Sequence, residues 1–516
     1  MRRRPAAILF LFVILVAACG RGKFRRVQSL ADLRDWIRPE YVLDANKVQQ
    51  EIERTAAASW GEMYADAYVR AYYKEEGHPM VWATRMGIDE RADTLLHYLA
   101  GAEAIGFRRE AFHVDTIRSL LDEIRLKAFD REDASSMMGR LEYLLTHAFL
   151  RYACGQRFGY VHPRRVMNHL LEDAPAAGEE QHAVTYRQLY DHRSEEVTDS
   201  FVRHALEEVR HHRIGAFLEE IQPTDTLYRR MQREYWQALE RGDTSRTRLA
   251  RINMERARWR YPHPDGGRYI WVNLAGQELT AVDTERDTMT TMRVCCGNLT
   301  HKTPLLHSRI SHVELNPYWV IPQSIVRKEI MPRHVGDSAY YARNRYRAIN
   351  KETKAVVNPA RLSADQLRSG LYTLRQDNGA GNSLGRIIFR FPNNFSVYLH
   401  DTSNKGAFHS ASRAISHGCV RVERPLDLAL FFLDKPTPLF TDRIRMAIDQ
   451  PPLSEEGRRY QEANPEGRKL GGFNYDRPVP VWLDYWTLYP NPKGALLSYP
   501  DSYGYDGVIE KKLNAL

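Results

Sequence analysis

The chain has 516 residues, of which 43% are hydrophobic and 11% aromatic, and this composition excludes an intrinsically disordered protein. Its length suits roughly two to four packed domains. Lys and Arg number 74 against 65 Asp and Glu, which gives a formal net charge of +9. Because this excess is spread along the chain without a long basic block, we expect no nucleic-acid partner, and an anionic partner is favoured only weakly.

The N-terminal segment has the pattern of an export signal. Arginines occupy positions 2–4, residues 6–16 form a short apolar run, and Val16-Ala17-Ala18-Cys19 resembles a bacterial lipobox. The run is shorter than the about 20 residues that a membrane-spanning helix needs. We therefore expect residues 1–19 to be a lipoprotein signal peptide, with lipid attached to Cys19. An uncleaved anchor and an ordinary signal peptide are the alternatives.

Lipid on Cys19 would anchor the mature protein to a membrane. Gly20, in the next position, lacks the acidic side chain that is associated with retention at the inner membrane. We therefore expect a periplasmic protein that is lipid-anchored to the outer membrane, with residues 20–45 as a linker.

The remaining cysteines indicate one reactive thiol. Cys154 lies in a helical pattern, whereas Cys295 and Cys296 are adjacent in a strand-like segment that points them to opposite faces. Adjacent cysteines form a disulfide only with strained geometry, so we interpret both as core side chains. The sequence has no CxxC or HExxH spacing, and we expect neither a metal nor another cofactor.

The spacing of apolar residues divides the chain into a helical part and a part made of strands. Val48, Ile52 and Ala56 recur every four residues, and similar patterns predict a mostly helical domain over residues 46–258. From residue 268 the period changes to two, which predicts antiparallel strands over residues 268–448.

Two further segments accompany the predicted β domain. An Arg- and Tyr-rich insertion at residues 324–378 is either a mobile lid or a packed surface subdomain. Residues 449–516 are predicted to be a C-terminal extension whose final hairpin packs on this domain.

Cys419 carries the strongest catalytic signal. It follows Gly418 and precedes an apolar run opened by Pro425, which predicts a thiol displayed where a strand or loop turns into a helix. An ordinary thiol pKa is about 8.5, so a catalytic cysteine needs a base or a positive partner within reach. His400, at the end of an alternating segment, and His417 both qualify, and spacing alone does not choose between them.

The contiguous segment Ser416-His417-Gly418-Cys419-Val420-Arg421 follows a histidine in a Tyr-Leu-His-Asp-Thr context, with fifteen residues between that histidine and the serine. Together they resemble the active-site signature of the YkuD-type L,D-transpeptidases. Residues 385–398, Lys302-Thr303-Pro304 and residues 315–322 are similar to the larger periplasmic members, and the helical part is more loosely similar to their scaffold domain. The implied fold is α+β multidomain: a mainly helical N-terminal scaffold domain followed by a mainly β, sandwich-like YkuD catalytic domain.

This resemblance implies a role for each residue of the signature. Cys419 is the expected nucleophile, His400 the general base and acid, and the backbone N–H groups of Gly418 and Cys419 the oxyanion donors. The remaining members are expected to be structural or to bind substrate: Ser416, His417 and Arg421. An arginine at the last of these positions can hold a substrate carboxylate or help to keep the thiolate charged.

The resemblance also implies the reaction, a two-step acyl transfer between peptidoglycan stem peptides in cell wall biogenesis. The thiolate attacks a tetrapeptide donor and expels its terminal D-amino acid, and the side-chain amine of a diamino-acid acceptor resolves the thioester. Hydrolysis by an L,D-carboxypeptidase and attachment of a lipoprotein to peptidoglycan stay open as alternatives. A silent wall-binding scaffold is the non-enzyme alternative, and the intact thiol, histidine and arginine argue against it.

Overall fold

The computed structural model describes residues 43–59, 61–75, 77–84, 87–126, 134–168, 189–262, 266–465, 467, 469–491 and 493–516. The expected signal peptide, its lipidation site Cys19 and most of the linker lie outside these residues. The chain divides into two compact units. A helical unit comprises Met1–Val166, Ser194–Tyr261 and Asp506–Leu516, and a β unit comprises Met167–Arg193 and Pro262–Tyr505.

The helical unit is built from amphipathic helices, as the apolar spacing predicts. Its α-helices lie at Ala45–Ala58, Tyr64–Lys74, Arg91–Ala100, Val114–Leu126, Ala134–Phe158, Pro163–Asn168, Asp199–Arg210, Ile214–Glu220, Thr226–Glu240, Thr244–Arg258 and Tyr505–Asn514. Two 3₁₀ turns, Ala102–Ile105 and Arg109–Phe112, and a short hairpin of β1 (Ala83–Thr84) and β2 (Gly87–Ile88) complete it. Side chains of Asp44, Thr198, Asp225 and Asp243 accept hydrogen bonds from backbone N–H groups and so begin four of these helices.

Helix Ala134–Phe158 lies in the middle of this unit, because every side chain from residue 141 to residue 156 is buried. Two of them, Glu142 and Arg151, are charged. The Glu142 carboxylate accepts hydrogen bonds from the backbone N–H groups of Val81 (2.6 Å), Trp82 (3.1 Å) and Ala83 (3.0 Å), and from the Tyr73 hydroxyl (2.8 Å). A single buried side chain therefore satisfies three backbone donors ahead of the β1–β2 hairpin.

Replacing Glu142 with Ala is expected to lower the free energy of unfolding by about 3 kcal/mol or more. Three buried N–H groups would lose their acceptor, and each unsatisfied donor costs roughly 1–3 kcal/mol. Urea unfolding followed by far-UV circular dichroism measures the change. Glu53→Ala is the matched control, since Glu53 is exposed and its loss should cost at most about 0.5 kcal/mol. Equal unfolding midpoints for the two variants would contradict this account of Glu142.

The last helix, Tyr505–Asn514, belongs to the helical unit from residue 506 onward, whereas the sequence analysis assigns all of 449–516 to an extension of the β domain. Three arginines of helix Thr244–Arg258 hold it. Arg256 makes a buried ion pair with Asp506 (2.6 Å), Arg248 pairs with Glu510 (2.7 Å), and Arg251 donates to Asn514 (2.6 Å). Such contacts join residues about 250 positions apart, and they leave no local pattern in the sequence.

The β unit contains the alternating segments predicted from residue 268 onward. Its strands are Arg268–Asn273 (β3), Glu278–Asp283 (β4), Thr288–Gly297 (β5), Leu306–Leu315 (β6), Trp319–Val320 (β7), Tyr346–Asn350 (β8), Val356–Val357 (β9), Tyr372–Gln376 (β10), Ile387–Arg390 (β11), Leu399–His400 (β12), Ala414–Ser416 (β13), Val420–Val422 (β14), Gly472–Asp484 (β15), Leu488–Pro490 (β16) and Leu496–Ser498 (β17). Its helical segments are Gln323–Ile325, Val326–Ile330, Met331–His334, Ser338–Arg343, Pro359–Arg361, Ala364–Arg368, Lys405–His409, Pro425–Phe431, Pro438–Ala447 and Glu455–Ala463.

The main sheet of this unit has the strand order β13-β5-β14-β12-β11-β6-β15-β3-β4, and β4 also pairs with β5. This last pairing closes the sheet on itself, so the architecture is barrel-like and not the sandwich expected from the resemblance. Closure gives the strands of the ring hydrogen-bonding partners on both sides and removes exposed edges. Strand β15 is one of the strands of the ring and pairs with β6 and β3. The predicted boundary of the catalytic domain, at residue 448, falls before this strand.

The insertion at residues 324–378 is a packed subdomain. Its strands β8, β9 and β10 join β7, which precedes the insertion, in a four-stranded sheet of order β7-β10-β8-β9. Helical segments cover an apolar core that includes Val326, Ile330, Tyr341 and Leu374. Its interior therefore supports the interpretation as a packed subdomain, and its closure as a mobile lid stays a prediction.

Candidate active site

Strand register brings the predicted catalytic residues together. Strands β12 and β14 are parallel neighbours, and His400 is paired with Arg421. Side chains at paired positions project to the same side of a sheet, and so do side chains two positions apart on one strand. Cys419, which immediately precedes β14, therefore lies on the same side as His400 and Arg421.

His400 is a buried neutral base. Its side chain is 5% exposed, and its Nδ1 lies 2.5 Å from the carbonyl oxygen of Asp401. A carbonyl only accepts hydrogen bonds, so Nδ1 carries the proton and Nε2 keeps its lone pair. Burial, together with the positive charge of Arg421, lowers the pKa of His400 to about 4. At neutral pH the imidazole is thus uncharged.

The Cys419 thiol is half-buried, and its Sγ lies 3.8 Å from the carbonyl oxygen of Ser396. Burial raises the pKa of this thiol, although a backbone hydrogen bond from Tyr398 and the charges of Arg421 and Arg390 act in the opposite direction. The thiol is therefore protonated at neutral pH. It needs a base, as the sequence predicts for a catalytic cysteine.

The loop that faces the thiol is held by one asparagine. Ser396 has φ = 56°, in the left-handed region that side chains other than glycine rarely adopt. The Asn393 Oδ1 accepts from the N–H groups of Phe395 (3.0 Å) and Val397 (3.1 Å), and its Nδ2 donates to the Val397 carbonyl (2.8 Å). These bonds hold the Ser396 carbonyl beside Sγ.

Ser416 shapes the turn that carries the thiol. Its hydroxyl donates to the carbonyl oxygen of Cys419 (2.5 Å) and accepts from the N–H of Gly418 (3.1 Å). Gly418 has φ = 116°, a conformation that only glycine adopts without strain. The expected oxyanion role of the Gly418 N–H is not supported by this geometry, because the Ser416 hydroxyl already occupies that donor, as in other serine turns. The N–H of Cys419 is therefore the remaining candidate for the oxyanion donor.

His417 faces the insertion. Its Nε2 lies 2.7 Å from Oε1 of Glu329, in the π-helical turn Val326–Ile330, and both side chains are nearly half exposed. Its ring centroid is 4.9 Å from that of His301. His400, with its buried and correctly protonated ring, is therefore the better base. Sequence reasoning missed Glu329 and His301, since neither lies in a motif.

Arg421 supplies positive charge without a carboxylate partner among the residues that the structure describes. Its buried Nε also has no hydrogen-bond partner within that part of the chain. Nearby Arg390 differs, because it pairs with Glu314 at 2.7 Å. An arginine in this state is suited to bind an anionic group, and a carboxylate matches its paired N–H donors.

The other described cysteines are buried, as predicted for core side chains: Cys154, Cys295 and Cys296. Burial raises the pKa of each of their thiols. Within the described residues, Cys419 is the one cysteine with substantial exposure, which makes it the most accessible nucleophile of the four.

Comparison with known proteins finds two matched domains. Residues 267–438 match the L,D-transpeptidase catalytic domain of the YkuD family, and residues 67–234 match a Scaffold domain. A curated protein of Haemophilus influenzae named "Putative L,D-transpeptidase" is 29% identical over 247 residues. That alignment covers 48% of this chain and 46% of the relative, so the chain spans about half the length of the curated protein that it matches.

Proposed function

From the YkuD L,D-transpeptidase catalytic domain and the Scaffold domain that this chain carries, we propose that it cross-links peptidoglycan stem peptides through an acyl-enzyme on Cys419. The observation that supports the proposal is the register of β12 and β14, in which His400 is paired with Arg421, with Cys419 two positions before Arg421. These three groups supply a nucleophile, a base and an anion-binding cation.

The first step forms the acyl-enzyme. Nε2 of His400 takes the thiol proton while Sγ attacks the carbonyl carbon of the donor peptide. Negative charge then develops on the carbonyl oxygen, and the N–H of Cys419 stabilises it, a contact typically worth about 3 kcal/mol. The C–N bond breaks, His400 returns the proton to the leaving amine, and the terminal D-amino acid departs.

The second step transfers the acyl group. The side-chain amine of an acceptor stem peptide attacks the thioester carbon, and His400 takes a proton from that amine. The C–S bond breaks, and the thiolate recovers a proton from His400. The net result is one new amide bond and one free D-amino acid for each cross-link.

Arg421 has a place in this reaction because the donor peptide ends in a carboxylate. Its guanidinium has no competing carboxylate among the described residues, so the donor is its natural partner. The same positive charge helps to keep His400 unprotonated.

The proposed setting is the periplasm, with the protein attached to the outer membrane by lipid on Cys19. Support for this placement comes from the charged start, the apolar run and the lipobox-like segment of the sequence.

Product analysis tests the proposal. The protein is incubated with a disaccharide-tetrapeptide, and the products are separated and identified by mass spectrometry. We expect a cross-linked dimer together with one released D-amino acid for each dimer. A tetrapeptide whose side-chain amine is acetylated is the control, because it remains a donor but cannot act as an acceptor, and it should give no dimer.

Other results of the same experiment point to different functions. Shortened tripeptide without dimer from the free-amine substrate would replace the proposal by L,D-carboxypeptidase activity or by transfer to a different amine, such as one on a lipoprotein. If neither a peptide product nor a protein adduct formed, the proposed enzyme activity would be contradicted. A wall-binding scaffold would then be the remaining function.

A further inference from the structure

The turn that carries Cys419 is fastened from behind by Thr303. The Thr303 hydroxyl donates to the carbonyl oxygen of Gly418 (2.9 Å) and accepts from the N–H of Gly297 at the end of β5 (2.8 Å). Thr303 is completely buried. The hydroxyl therefore uses both its donor and an acceptor site in fixed directions, and the Gly418 carbonyl is held towards the protein interior.

A tyrosine from the far end of the β unit braces the threonine. The Tyr503 hydroxyl donates to the carbonyl of Gly297 (2.7 Å) and accepts from the N–H of Thr303 (3.2 Å). The Tyr503 side chain is buried, and the Lys302 ammonium donates to its backbone carbonyl (2.7 Å). Two hydroxyls and two backbone segments thus form a closed hydrogen-bonded network beneath the catalytic turn.

The network also fixes the direction of the Cys419 N–H on the other side of the turn. The carbonyl of Gly418 and the N–H of Cys419 belong to one planar peptide group, and in a trans peptide they point in opposite directions. No cis peptide bond occurs among the described residues. Since the carbonyl points inward to Thr303, the N–H of Cys419 points outward, to the side where the half-exposed thiol meets its substrate.

We propose that Thr303, braced by Tyr503, is a positioning residue that aims the Cys419 N–H at the oxyanion. The neighbouring Gly418 N–H is held by Ser416, so the orientation of this single peptide group decides how well the developing charge is stabilised. The inference rests on the proposed acyl-enzyme and adds to it the residue that orients its oxyanion donor.

Thr303→Val tests the inference, because valine matches the shape of threonine but cannot donate to the Gly418 carbonyl. Two reactions of the same thiol are compared by intact-protein mass spectrometry. Acylation by a carbapenem forms an oxyanion, whereas alkylation by iodoacetamide does not. We expect Thr303→Val to slow acylation roughly 10- to 100-fold, somewhat less than complete loss of an oxyanion donor, and to change alkylation by less than about twofold.

Thr303→Ser is the matched control, since it keeps the hydroxyl, and it should acylate within about threefold of the unaltered protein. If Thr303→Val fails to fold, Tyr503→Phe replaces it; this variant removes one hydroxyl and should slow acylation selectively by a smaller factor. Unchanged acylation in the variant would overturn the inference, and so would an equal loss of acylation and alkylation, which indicates a merely structural role. Failure of the proposed function is distinguishable, because then the unaltered protein itself would not be acylated.

Discussion

Replacing Cys419 with Ala is expected to abolish acyl-enzyme formation completely. The intact protein, incubated with a carbapenem or with a disaccharide-tetrapeptide, should gain the mass of one acyl group, and the variant should gain none. The described cysteines other than Cys419 are buried, and burial raises the pKa of their thiols, so they do not substitute for it. The fold should survive, because the thiol is half exposed and its Sγ is 3.8 Å from the Ser396 carbonyl oxygen, too long for a strong hydrogen bond.

Cys295→Ala provides the control for this experiment. Cys295 is fully buried on β5, where it is paired with Arg421, and it packs against Ala407 and Phe408. It is therefore close to the site but inaccessible to reagents. This variant should still form one adduct, with a loss of stability of about 1 kcal/mol. An adduct on Cys419→Ala, or its absence from Cys295→Ala, would contradict the assignment of the nucleophile.

The prediction of the site rests on local sequence information. The spaced histidine and the contiguous segment from Ser416 to Arg421 resemble the signature of the YkuD-type L,D-transpeptidases, and residues 267–438 match the catalytic domain of that family. Spacing left His400 and His417 as equal candidates for the base. The resemblance favours His400, and the structure adds the pairing of β12 with β14, which depends on residues about twenty positions apart meeting in three dimensions.

Long-range contacts account for what the sequence did not predict. Strand β15 contains Pro478 and Pro480, which are unusual inside a sheet, so its central position was not expected. Pro478 lies in a register shift between Asn474 and Val479, whereas Pro480 is paired with Arg309 of β6. The expected oxyanion role of the Gly418 N–H is likewise not supported, because an oxyanion donor and a turn donor have the same sequence signature, and only the position of the Ser416 hydroxyl distinguishes them.

The pH dependence of acylation is expected to report the unusual state of His400. The protonated imidazole cannot take the thiol proton, so the rate should rise with pH through the pKa of His400, which is about 4. Acylation should then be nearly independent of pH from about 5 to 7, whereas an ordinary histidine would give a rise near 6.5. His400→Gln should lower the plateau by roughly 10²- to 10⁴-fold, the usual contribution of a general base, and should abolish the acid limb.

Arg421→Gln separates the two causes of this low pKa. Burial and the charge of Arg421 both disfavour the imidazolium, so removal of the charge should raise the pKa of His400 and move the acid limb of the rate profile to higher pH. The limb should stay below 6.5, because His400 remains buried. Arg421→Lys is the control that keeps the charge. The acid limb of its rate profile should lie at nearly the same pH as that of the unaltered protein.

The position of the limb is measured from the rate of carbapenem adduct formation between pH 3.5 and 8, with circular dichroism at each pH to confirm that the protein is folded. Position is a safer measure than amplitude, since loss of Arg421 also weakens the binding of a carboxylate-bearing reagent. An acid limb near 6.5 in the unaltered protein would contradict the buried neutral base. If Arg421→Gln and Arg421→Lys kept the same limb as the unaltered protein, burial alone would set the pKa, and the role of Arg421 would reduce to binding the carboxylate of the donor.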